Sequence, residues 1–214
     1  KDASGDETKS VFWELVVCKD KEQAVLLNLQ EGMDCGLLDE QQKLTALLHL
    51  FRALDFLGKH GITHGDIKPK NLFLTDTTLK VGDFGLMLFN KHFMDPAYGD
   101  RAEDLASIHA YENDDVTIGT PQYIHPRRYY HNAPETIHPK HDVFSAAMLA
   151  VRLLTGYTPP EKFLENFAFT YQDLKKEIDE VLRRYQTDHP DMVRFVALLQ
   201  RALTEPESMV NAPK

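Results

Sequence analysis

Basic charge, cysteine and unbroken apolar stretches are all scarce in this 214-residue sequence. Twenty-four Lys and Arg stand against 33 Asp and Glu, a formal net charge of −9, and no basic run occurs. A surface that tracks nucleic-acid phosphates needs clustered Lys and Arg, so no nucleic-acid partner is expected. No apolar stretch approaches the roughly 18 residues a membrane helix requires, so no membrane span is expected. The opening KDASGDETKS lacks the apolar centre of a secretory signal. Cys18 and Cys35 are too few for a disulfide framework and lack metal-ligand spacing. They read as free thiols in a cytoplasmic or otherwise intracellular reducing compartment. Internal repeats and low-complexity segments are missing, and no G-x-G-x-x-G phosphate loop occurs.

What is present is an ordinary globular composition, 43% apolar and 27% charged. The length suits one large domain or two lobes sharing a core. VFWELVVC (11–18) and AVLLNL (24–29) read as two strands, with QEGMDCG as a connector. From Asp39 the period changes: Leu44, Leu47, Leu48, Phe51 and Leu54 recur at helical spacing. Asp39 is the expected N-cap, and Lys59, His60 and Gly61 the expected stop. NLFL (71–74) and LKVG (79–82) predict a short hairpin, and residues 86–118 a long irregular stretch. DVFSAAMLAVRLLTG (142–156) is apolar on nearly every face and predicts a fully buried helix. Tyr171–Tyr185 and Met192–Leu203 read as amphipathic helices broken at His189-Pro190. The fold class expected is α+β, mostly helical, with a two-strand N-terminal β fringe.

The chemistry concentrates in HGDIKPKN (64–71) and VGDFG (81–85). The hairpin delivers Asp83 to the neighbourhood of the first motif. A carboxylate at Asp66 can accept a hydrogen bond from a hydroxyl and orient it as a nucleophile. Lys68 can place positive charge on a transferring phosphoryl group. Asn71 and Asp83 offer an amide oxygen and a carboxylate to a hard cation such as magnesium. Phosphoryl transfer needs such a set because its catalysis is mostly positioning and charge neutralisation.

These motifs resemble the catalytic loop and the Asp-Phe-Gly turn of protein kinases. GTPQYIHP (119–126) is similar to the segment that closes the family's activation loop. HDVFSAAMLAVRLLTG resembles its buried central helix, LLQRALTEPES (198–208) a late helix and turn, and AVLLNLQEGMD the last N-lobe strand and hinge. The resemblance spans about residues 24–209. It implies remnant N-lobe strands and hinge in 1–30, and a kinase-like helical C-lobe in 31–214 with a long activation segment, 83–127. It further implies ATP and Mg²⁺ as cofactors, with Asp66 as catalytic base and Lys68 contacting the γ-phosphate. Asn71 and Asp83 would be the magnesium ligands, and Thr120 would bond toward Asp66 and Lys68. Backbone groups of Asn28 and Gln30 would meet adenine, with Phe73 as the pocket floor. His64 would be a packing residue beneath Asp83. Lys68-Pro69 is the serine/threonine-directed form, so the partner expected is a protein substrate.

Departures from the family pattern also carry information. Gly65 replaces the arginine that in many kinases receives an activation-loop phosphate. The loop is therefore expected to be permanently competent or controlled by a partner chain. Ala-Pro-Glu is replaced by His125-Pro126-Arg127, and its arginine partner by Met209. Losing both halves of a buried ion pair is coherent, since losing one would cost about 3–5 kcal/mol. Some other packing must then hold the segment. Few residues precede the hinge-like strand, so the chain is expected to be a fragment, a reduced kinase completed by a partner lobe, or a kinase-like module without turnover. Two other functions stay open: a pseudokinase scaffold, and a small-molecule phosphotransferase of the aminoglycoside-modifying kind.

Overall fold

The computed structural model describes residues 27–75, 78–94, 96, 119–125, 138–160 and 171–204. Helix α1, Leu29–Asp34, is short and owes its start to a capping box. Asn28 Oδ1 accepts from Glu31 N–H at 3.0 Å, while the Glu31 carboxylate accepts from Asn28 N–H at 2.9 Å. Helix α2, Glu40–Lys59, repeats the device with Asp39 and Gln42. Its apolar stripe of Ala46, Leu47, Leu50, Leu54 and Leu57 is buried.

Four strands follow: β1 (His60–Thr63), β2 (Leu72–Leu74), β3 (Leu79–Val81) and β4 (Leu88–Met94). They form two antiparallel ribbons, β1 with β4 and β2 with β3. The first carries a register irregularity between His60 and Ile62. The second pairs Leu72 with Val81 and Leu74 with Leu79. Three helices complete the described chain: α3 (Lys140–Thr155), α4 (Tyr171–Asp188) and α5 (Val193–Thr204).

Helix α3 is the centre. Phe144, every residue from Ala146 to Val151, Leu153 and Leu154 are buried, and α2, α4, α5 and β1 all pack on it. A fully buried Leu or Phe contributes about 1.5–3 kcal/mol, so this helix dominates the hydrophobic stabilisation. Gly156, at φ 73°, ends it in a left-handed cap. Polar ties clamp the outer helices. Tyr185 donates to Glu40 at 2.6 Å, joining α4 to the start of α2, and Tyr157 donates to Glu177 at 2.7 Å. Burial and then the neighbouring carboxylate push both phenols well above their ordinary range.

The mostly helical class with a small β fringe is what the sequence led us to expect, but parts of the fringe differ. The strand expected at 11–18 lies outside the described residues. Of the one expected at 24–29, residues 24–26 lie outside the described residues; the Leu27 carbonyl accepts from Leu74 N–H at 2.9 Å and Asn28 bridges Phe73, but helix already begins at Leu29. The supposed connector QEGMDCG is mostly that helix. The irregular stretch from 86 contains β4, whose partner β1 was taken for the end of a helix and the start of a loop.

Candidate active site

The loop 64–71 hangs between β1 and β2, and its geometry starts at Asp142 in the first turn of α3. This carboxylate is buried and accepts from the backbone N–H groups of His64 at 2.6 Å and Gly65 at 2.9 Å. Gly65 adopts φ 85°, a left-handed conformation that side chains with a Cβ rarely take. A buried charge that satisfies two adjacent amides fixes the loop where it leaves the core. Ile67 plugs the middle of the loop into the apolar interior.

His64 is fully buried. Its Nδ1 accepts from Asp66 N–H at 3.2 Å, so the ring proton sits on Nε2 and is donated to the Gly82 carbonyl at 2.9 Å. Its ring centroid lies 4.8 Å from that of Phe84. One neutral imidazole thus joins the loop to the turn that carries Asp83.

Asp66 is 8% exposed and held from three sides. Its Oδ1 accepts from Thr120 at 3.0 Å; its Oδ2 accepts from Asn71 Nδ2 at 3.1 Å and pairs with Lys68 Nζ at 2.6 Å. A carboxylate has about four acceptor sites, so capacity for one further donor remains. Asn71 Nδ2 also donates to the Asp66 carbonyl at 2.9 Å. Both amide hydrogens are then committed, which fixes the side-chain flip and leaves Oδ1 as the outward acceptor.

Asp83 is delivered by Gly82, whose N–H donates to the Asn71 carbonyl at 2.8 Å. A Cβ on Gly82 would meet the Phe73 ring at 2.7 Å, so a larger residue there would have to displace that ring. Asp83 itself is exposed, in a left-handed conformation at φ 59° and ψ 71°. Such strain in a non-glycine residue is characteristic of functional turns. Its carboxylate makes one long contact, 3.4 Å, to Gly85 N–H. Among the described residues no three His, Cys, Asp or Glu side chains group as a metal site. The donors here are one fixed amide oxygen and one exposed carboxylate, hard oxygen ligands that fit magnesium completed by water and phosphate.

Asp66, Lys68, Asn71 and Thr120 therefore meet directly, and Asp83 is pinned beside them through Gly82. Asn28 and Gln30 stand at the start of α1. The Asn28 N–H is taken by Glu31 and its carbonyl accepts from Gly32 N–H at 3.0 Å. Gln30 lies in the first turn of α1, its side chain donating to Asp34 at 2.7 Å. The Asn28 backbone is spent on starting a helix and is not offered to a base. Phe73 is half-buried in β2, between Asn28 and Gly82.

Sequence reasoning passed over the residues that support the site. Asp142 was visible as a lone carboxylate opening an otherwise apolar helix. Ser145 Oγ donates to the Tyr123 carbonyl at 2.7 Å, and Arg152 donates to the Tyr123 hydroxyl. Burial raises the Tyr123 phenol, with Arg152 pulling the other way. These bonds seat segment 119–125 on α3, and nothing in the local sequence of that segment announces them.

Comparison with known proteins agrees with this geometry. The family model described as protein kinase domain matches residues 6–202. Eukaryotic translation initiation factor 2-alpha kinase 3 of Bos taurus is 31% identical over 186 residues, 79% of this chain and 16% of that protein. CBL-interacting serine/threonine-protein kinase 15 of Arabidopsis thaliana is 30% identical over 152 residues, 68% of this chain and 32% of its own length. Serine/threonine-protein kinase PknB of Mycolicibacterium smegmatis is 29% identical over 142 residues, 66% of this chain and 20% of that protein. The chain thus spans less than a third of each of these relatives. With a family match over nearly its whole length, and with its loop, turn and central helix assembled as above, this chain belongs to the protein kinase family.

Proposed function

We propose that the chain supplies the catalytic loop and metal-binding turn of an ATP-dependent serine/threonine protein kinase. The observation that carries this reading is the closure of Lys68, Asn71 and Thr120 on the one buried carboxylate of Asp66, beside an exposed Asp83. Asp66 accepts a hydrogen bond from the acceptor hydroxyl and takes its proton as the oxygen attacks phosphorus. Lys68 pairs with that carboxylate and neutralises charge on the transferring group. Asn71 and Asp83 would hold magnesium, which when bound supplies charge neutralisation on the phosphates. Thr120 ties the acceptor-side segment to the base. The adenine contact falls to the backbone of Gln30, since both backbone groups of Asn28 are engaged in starting α1.

Gly65 leaves the loop without a guanidinium to receive a phosphate, so control falls to a partner chain or to standing competence. The test is to add Mg-ATP to the full protein and follow melting temperature and ADP formation with peptide and aminoglycoside acceptors. Ligand at 100 times its dissociation constant stabilises by about 2.7 kcal/mol, a readily seen shift. Transfer to peptide hydroxyls supports the reading. Transfer only to aminoglycosides replaces it, and neither stabilisation nor turnover leaves a scaffold.

A further inference from the structure

Arg152, in the last turn of α3, carries a charge that the catalytic reading does not use. It is partly buried, and its guanidinium, with five N–H donors, donates to the Tyr123 hydroxyl. Lys43, Lys68 and Lys175 are also partly buried, and each meets a carboxylate. Among the described residues no carboxylate pairs with Arg152. A cation in the last turn suits the negative end of the helix dipole. That accounts for the charge and leaves the other donors unspent.

Tyr123 is 5% exposed, and its backbone groups are both engaged. Its N–H is donated to the Thr120 carbonyl at 2.9 Å, and its carbonyl accepts from Ser145 Oγ at 2.7 Å. Its hydroxyl oxygen accepts from Arg152, and among the described residues no acceptor takes the hydroxyl hydrogen. Burial raises the phenol, with Arg152 pulling the other way, so the group stays protonated at neutral pH. A buried donor without an acceptor is destabilising. An anionic oxygen arriving beside Arg152 would accept from both groups at once.

We propose that Arg152 and Tyr123 form a specificity site that takes an anionic side chain, carboxylate or phosphate, of the peptide substrate. The inference rests on the kinase reading and adds a substrate class to it: peptides with an acidic residue near the acceptor hydroxyl. Short contacts link the site to the base. Thr120 donates to Asp66 at 3.0 Å, Tyr123 N–H closes a turn onto Thr120, and the Tyr123 hydroxyl meets Arg152. The reach also fits. Asp142, which holds loop 64–71, and Arg152 lie ten residues apart on one helix, about 15 Å. An extended peptide covers that span in about five residues at about 3.3 Å each. Arginine suits the role because its planar fork binds a carboxylate or phosphate through two parallel N–H···O bonds. The chain's formal net charge of −9 repels an acidic peptide at long range, so selection falls to this local contact.

The test uses the full protein and peptides with one serine in a neutral background. Glutamate, phosphoserine, arginine or glutamine is placed singly at each position within about five residues of that serine. For wild type, Arg152→Gln and Arg152→Glu, the kcat/KM of each peptide is divided by that of its glutamine counterpart. Any loss of activity common to both then cancels, which removes a merely structural role of Arg152. Glutamine can still donate to the Tyr123 hydroxyl and glutamate can accept from it, so both variants keep the link to the segment. Wild type is expected to favour glutamate or phosphoserine at least tenfold at one or more positions. The ratio should fall below threefold in Arg152→Gln and turn toward the arginine peptide in Arg152→Glu. A wild-type ratio below tenfold at every position overturns the inference, as does a preference that survives in Arg152→Gln. Anisotropy of the same peptides, labelled with fluorescein, keeps the two readings distinguishable. A wild type that transfers no phosphate refutes the kinase reading. If it still binds an acidic peptide at least tenfold more tightly than its glutamine counterpart, with the difference lost in Arg152→Gln, the anion site stands; equal or absent binding overturns it.

Discussion

The catalytic loop and the Asp83 turn lie side by side and are built on opposite principles. Asp66 is buried, and three side chains occupy its carboxylate before any ligand arrives. Asp83 is exposed, backbone-strained and bonded only at 3.4 Å. On the function proposed above, the contrast separates a group that would be oriented for proton transfer from one that would stay free to receive a cation. Preorganisation on that reading is applied where charge would develop, and withheld where a ligand would bring its own charge.

The comparison breaks most completely if the clamp behind the first loop is removed. Asp142→Ala leaves two buried amides without an acceptor, at about 1–3 kcal/mol each. Urea denaturation should show a loss of about 2–6 kcal/mol, and the loop should become as labile as the Asp83 turn. Asp66→Asn keeps the shape of the loop and removes the base. Transfer should fall 10²–10⁴-fold, the range for general-base catalysis, while Mg-ATP still raises the melting temperature. A variant at this position with full activity would remove the assignment.

Asp83→Gly should have the opposite profile. Glycine relieves the left-handed strain, so unliganded stability should stay within about 1 kcal/mol of wild type. Magnesium-dependent nucleotide stabilisation should vanish. Chelation with EDTA should reproduce that loss in the wild type without moving the unliganded melting temperature. The smallest effect is expected for Thr120→Val, which removes one hydrogen bond worth about 0.5–1.5 kcal/mol. Peptide transfer should fall by no more than about tenfold, with nucleotide stabilisation unchanged.

Local chemistry was legible in the sequence and distant partners were not. The five-residue step from Asp66 to Asn71 can be read directly, because a short loop can fold such neighbours together. The α3 run announced its burial by having no polar face. Asn28 and Glu31 also had the spacing of a capping box, but the preceding apolar run AVLLNL resembled a strand and prevailed. The run ends one residue earlier than that pattern suggests, because helix begins at Leu29. Strand β4 was missed because β1, only four residues long, gives little alternation to read, and the two pair across more than twenty intervening residues. Asp142 meets its partners 77 and 78 positions away, a contact that no local pattern encodes.

The central helix also acts as a ruler. Asp142 holds the amides of loop 64–71, and Arg152, ten residues later, holds the hydroxyl of Tyr123 in segment 119–125. At 1.5 Å per residue these two anchor points stand about 15 Å apart along one rigid axis. The spacing between the loop and the segment is therefore written into the number of residues between two side chains, and a single insertion within 143–151 would rotate one anchor by about 100° relative to the other.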